Sequence, residues 1–66
     1  MSEIFFEKLL EQRDFYLNIL KQTSFQLVMD PSKNELKDIE IMQIKTIDQL
    51  KKVEQELASI LSKKFH

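Results

Sequence analysis

No glycine occurs anywhere in this chain, and its single proline is Pro31. Sheets, catalytic loops and phosphate cradles depend on tight turns and left-handed backbone positions, which glycine supplies at the least steric cost. A chain without glycine can still be helical from end to end. Leu, Ile, Lys, Glu and Gln dominate the remainder, a composition that suits helices although the isoleucines are only fair helix formers. An all-α fold follows.

The chain's 66 residues make one domain, 1–66, whose core alone would be marginal. Small folds offset that deficit with disulfides, a structural metal or association. The absence of cysteine removes disulfides and thiolate metal sites together, and His66 is the only histidine. Association is the route that remains, and no cofactor or metal is expected.

Net charge is −1, with acids and bases interspersed along the chain. A nucleic-acid binder would be expected to show a basic stripe instead. The nearest basic features are Lys51–Lys52 and Lys63–Lys64. The second pair sits where a helix C-terminus favours positive charge, so the helix dipole accounts for it. No apolar run approaches the ~18 residues needed to span a bilayer, so membrane insertion is not expected. The start, Met1 to Glu7, lacks the basic residues and small-residue cleavage site of a signal peptide. A cytoplasmic protein is the default expectation.

Ser2 is a natural N-cap, with Glu3 in the first turn near the positive end of the helix dipole. Beyond it one apolar line runs through Phe6, Leu9 or Leu10, Leu17, Leu20 and Leu27, at three- and four-residue steps. That is helical periodicity on one face. A second line of Phe5, Leu9, Tyr16 and Ile19 widens the stripe, and Phe15 lies further round. Tyr16 reads as core first and interface second.

Punctuation comes at Asp30-Pro31-Ser32-Lys33-Asn34-Glu35. Asp30 and Pro31 can be read as N-cap and first helical position, because proline lacks the donor that position leaves unused. Ser32 with Glu35 offers a competing capping box one turn later. The proline also biases Asp30 away from the α region. The spacing predicts one helix over about 2–28, a turn over about 29–32, and a second helix over about 32–63. A connection this short makes the two helices antiparallel.

The second helix carries Leu36, Ile39, Gln43, Thr46 or Ile47, Leu50, Val53, Leu57 and Ile60 or Leu61 as its main stripe. Alternating steps of three and four fit a coiled-coil-like seam with left-handed pairing. Two polar residues interrupt the stripes. Arg13 can lay its aliphatic stem along the seam and turn its charge outward. Gln43 can equally be an incidental seam residue or one that fixes register at some cost in stability.

The informative feature is an excess of apolar residues. A two-helix hairpin hides one stripe on each helix, yet Phe5, Phe15, Ile19, Phe25, Ile41, Met42 and Ile44 fall beside or opposite those stripes. Ile39-Glu40-Ile41-Met42-Gln43-Ile44 is apolar nearly all round, unlike a solvated helix face. The chain holds five phenylalanines, with Phe5, Phe6 and Phe15 crowded near its start. One explanation is a single broad core in a different register. The other is that the hairpin docks on a copy of itself or on another helical protein. On the second explanation the partner-binding residues are Phe5, Phe6, Phe15, Ile19, Ile41 and Ile44.

Groups for chemistry are sparse. There is no cysteine nucleophile, no histidine within the helical run and no glycine-rich loop. Ser24, Ser32, Ser59 and Ser62 have no histidine to activate them. Asp38/Glu40 and Glu54/Glu56 are spaced two apart and so point to different faces of a helix. Neither an enzyme nor a small-molecule substrate is expected.

The length, the Asp30-Pro31 turn and the Ile-, Leu-, Glu- and Gln-rich second helix resemble the short co-chaperones of bacterial type III secretion needle subunits. This likeness spans nearly the whole chain as architecture, with no signature residue. It implies a larger helical-repeat chaperone as immediate partner and a needle protein as indirect one. Separately, Glu54-Gln55-Glu56-Leu57-Ala58 is similar to the Ser-Gln-Glu-Leu-Asp signature of small hairpin phosphatases acting on sporulation response regulators. Gln55, Glu56 and Leu57 match; Ala58 stands where that family has its functional aspartate, and the run lies later in the second helix than the family's.

Together these features predict an antiparallel two-helix hairpin completed by self-association or a helical partner. The expected role is a non-enzymatic adaptor or co-chaperone that binds and stabilises a partner protein. The alternatives are a regulator of a signalling or transcription protein, and a homodimeric structural bundle.

Overall fold

Ser32 decides where the second helix begins. Its hydroxyl accepts the Glu35 N–H at 3.3 Å, and its carbonyl accepts the Leu36 N–H at 2.8 Å. Ser32 is thus the N-cap, which is the Ser32 half of the capping-box reading, and it displaces Asp30 and Pro31 as the helix start. The physical reason lies one step earlier. Asp30 adopts a left-handed backbone with φ of 57°, a conformation that ends a helix and is not compatible with capping the next. Aspartate is one of the few residues besides glycine that visits this region with any frequency. The Met29 N–H bonds the Gln26 carbonyl at 3.1 Å in a tightened last turn, and Pro31 then bars continuation.

The computed structural model describes the backbone of residues 2–64 and the side chains of residues 3–63. The expected cap by the Ser2 side chain lies outside those bounds. Helix α1 spans Ser2–Val28 and helix α2 spans Lys33–Lys64. They pack side by side along their length to form an all-α helical hairpin, 49 Å long and 15 Å across. Connection 29–32 falls where the proline and the caps place it.

The seam follows heptad spacing on both helices. On α2 it comprises Ile39, Gln43, Thr46, Leu50, Val53, Leu57 and Ile60, each buried or half-buried. Thr46, only 3% exposed, takes the position for which Ile47 was the apolar candidate. Leu61 likewise gives way to Ile60, which packs against the core. On α1 the seam comprises Phe6, Leu9, Tyr16, Leu20 and Thr23, with Leu10 and Ile19 half-buried beside it. Leu17, expected in the first line, is exposed instead, as are Leu27 and Leu36. Step size explains Leu17, which is one residue out of phase with the seven-residue repeat of Leu9, Tyr16 and Thr23; Leu27 and Leu36 are in phase but lie at the turn end of the seam.

Packing divides the hairpin into two halves. Toward the open end, Leu9, Val53 and Leu57 form a buried cluster, with Phe6, Leu10, Tyr16 and Ile60 packed against it. Toward the turn the seam becomes polar. The Gln43 amide donates to the Thr23 hydroxyl at 3.2 Å, and Thr23 donates to the Leu20 carbonyl at 3.0 Å. The buried Thr46 hydroxyl donates to the Met42 carbonyl at 2.7 Å. These bonds satisfy the buried hydroxyls, and no buried side-chain polar atom is left unpaired among the described residues. Ile39 is buried near the turn. The apolar core is therefore small, as expected for a chain of this length.

Candidate protein-docking faces

The seam assigns every other helical position to a face. In an antiparallel pair the positions preceding each seam residue on one helix meet their equivalents on the other, so the hairpin has two flanks and two outer edges. One flank carries Phe5, Gln12, Phe15, Ile19, Gln22, Gln26 and Met29 from α1. Ile19, Gln22 and Gln26 line a shallow groove there with Asp38 and Met42 of α2. The groove continues toward the turn along Met29, Pro31 and Glu35. Lys8 is the only charge that this helical spacing gives the α1 side of the flank, an uncommon composition for a solvated helix surface.

Two of the three exposed phenylalanines among the described residues lie on this aromatic flank, the third being Phe25 on an outer edge. Phe5 is 52% and Phe15 62% exposed. The Phe15 ring meets Tyr16 edge-on, with centroids 5.6 Å apart and planes at 67°. Tyr16 is itself held against the core cluster. An exposed phenylalanine braced in this way presents a rigid apolar surface, which lowers the entropic cost of docking.

The other flank carries Leu17 from α1 and Ile44, Ile47 and Leu61 from α2, all exposed. Acidic and basic residues surround that apolar line. Ile41 lies on the outer edge of α2 and Phe25 on the outer edge of α1, where it lines a shallow groove with Asn18, Lys21 and Gln22.

The six residues predicted to bind a partner therefore do not form one patch. Phe5, Phe15 and Ile19 come together on the aromatic flank, with Ile19 half-buried. Phe6 belongs to the seam and packs against the buried cluster. Ile44 lies on the opposite flank and Ile41 on an outer edge. Missing from that prediction are Met29, the Gln22/Gln26 pair and the pairing of Met42 with Ile19. Counting heptad steps outward from Ile39 would have placed Met42 beside the seam.

No arrangement for chemistry accompanies these faces. Among the described residues no group of three metal-ligating side chains lies together. The one ion pair among them is Lys52 with Asp48, at 4.0 Å and exposed on a single helix, a contact of little energetic weight. No described helix is long and apolar enough to cross a membrane. No family model, curated protein or solved structure matches this chain.

Proposed function

We propose that this hairpin is a non-enzymatic adaptor or co-chaperone that binds an amphipathic helix of a partner protein along its aromatic flank. The observation that supports this reading is the row of exposed Phe5 and Phe15 leading along one flank to Ile19 and Met42, which line a groove between the helices in the turn half. A groove of this kind accepts the apolar face of a third helix, with anchors at three- and four-residue spacing. Glutamines between the anchors can hydrogen-bond without the desolvation cost of charges. In the type III secretion setting implied by the resemblance, the docked helix would belong to a helical-repeat chaperone, and the needle subunit would be bound through it. The run similar to the sporulation-phosphatase signature puts Leu57 in the seam. It offers Ala58 where a carboxylate is needed, so it lends the regulatory alternative no functional group.

A photo-crosslinking amino acid placed at Phe15, and separately at Phe25 on the outer edge, tests this reading in the native cell. The expected result is one discrete crosslinked protein from position 15 and none from position 25. Equal crosslinking from both, or a ladder of products, contradicts a dedicated aromatic flank.

A further inference from the structure

The second flank has a charge pattern that fits a second copy of the same chain. Its apolar line is Leu17, Ile44, Ile47 and Leu61, between 40% and 68% exposed. The Thr23–Gln43 bond sets the level of every residue along the hairpin. Counting from it, Leu17, Ile47 and Ile44 lie near mid-length, with a net positive charge on the turn side of them and a net negative charge on the open-end side. Lys21 lies beside Ile44 and Lys37 nearer the turn, whereas Lys51 lies level with Asp14 on the open-end side of Leu17. Glu7, Asp14 and Glu54 lie toward the open end. Glu40 is the one acid in the basic half, and Lys37 sits one turn before it. None of these charges has an opposite charge within 4.0 Å among the described residues.

We propose that two copies pair through this flank in antiparallel orientation, forming a four-helix bundle about a two-fold axis near Leu17. A two-fold axis across the face turns one copy end for end, so each basic half meets an acidic half. Parallel pairing would oppose like charges along the whole length and is disfavoured. Mid-length apolar residues meet their own equivalents at the axis, where burial is most complete. The molecule is 49 Å long and 15 Å across, long enough for one flank to supply the ~800 Å² per partner that a standard interface buries. Because the partner-binding anchors lie on the opposite flank, this pairing stands independently of the proposed function. It also leaves Phe5, Phe15 and Ile19 accessible on both outer sides of the bundle.

Charge reversal tests the pairing in the full chain. Lys21→Glu, Lys37→Glu and Lys51→Glu together make the flank acidic; Glu7→Lys, Asp14→Lys and Glu54→Lys together make it basic. By sedimentation the unaltered chain is expected to be a dimer at micromolar concentration. Each reversed chain should self-associate more weakly by on the order of a hundredfold, and an equimolar mixture should restore a 1:1 dimer. A monomeric unaltered chain overturns the proposal, as does self-association of the reversed chains at undiminished strength. Cysteine scanning provides a check that does not depend on the reversed chains folding, because the chain has no cysteine of its own. Leu17→Cys should form a disulfide-linked dimer readily in air and Phe15→Cys should not. The opposite ranking places the interface on the aromatic flank and overturns the proposal.

Discussion

Thr23, Gln43 and Thr46 place hydroxyls and an amide in a seam that aliphatic side chains could fill. Each threonine hydroxyl is satisfied within its own helix, by the carbonyl of Leu20 or Met42. Only Gln43 reaches across, to Thr23. Its contribution is therefore to register more than to stability, since a net hydrogen bond is worth about 1 kcal/mol and burying an aliphatic side chain about as much or more. Gln43→Leu leaves no buried group unpaired, because Thr23 keeps its bond to Leu20. The expected outcome is a rise in stability of up to about 1 kcal/mol, read from the denaturant midpoint. A fall would show that the amide contributes more than apolar packing at that level.

Helix ends were the least legible part of the sequence, and the reason is local. Asp30-Pro31 and Ser32…Glu35 both satisfy the composition of a helix start. Only the left-handed φ of Asp30 separates them, and that conformation also ends α1. Glycine would adopt it without a Cβ clash, which costs about 1–2 kcal/mol for other residues, against 0.5–1 kcal/mol of extra chain entropy for glycine. Asp30→Gly should therefore stabilise the hairpin by roughly 0.5–1 kcal/mol, visible as a higher thermal midpoint. A lower midpoint would mean that the Asp30 side chain does more for the turn than the strain costs.

Along the helices themselves the heptad steps from Ile39 to Ile60 gave the seam of α2, and the short connection gave the antiparallel pairing. What periodicity did not resolve was the choice between adjacent residues. Ile47 and Leu17 are more hydrophobic than Thr46 and Tyr16, yet they lie out of phase and are exposed. Phase prevails over hydrophobicity because a residue one step off a seam moves about 100° round the helix.

Across the whole molecule, the surplus of apolar residues is real but divided. The sequence offers Phe5, Phe15, Ile19, Ile41 and Ile44 either to one broad core or to a partner, and all but the half-buried Ile19 are exposed; it does not show that they face different ways, because flank assignment requires the seam to be fixed first. Once it is fixed, a flank with exposed aromatic residues separates from a flank whose exposed apolar residues are aliphatic. The core of Leu9, Ile39, Val53 and Leu57 is small, so a neighbour that binds the folded hairpin would add to its stability.

Affinity of the Phe15→Ala chain for its crosslinked partner, measured by calorimetry with circular dichroism on the same sample, tests the aromatic flank most directly. Removing an exposed anchor should weaken binding by about 2 kcal/mol or more, roughly thirtyfold, while helix content stays unchanged. Unchanged affinity, or a loss of helicity that matches the loss of binding, would contradict a docking role for Phe15.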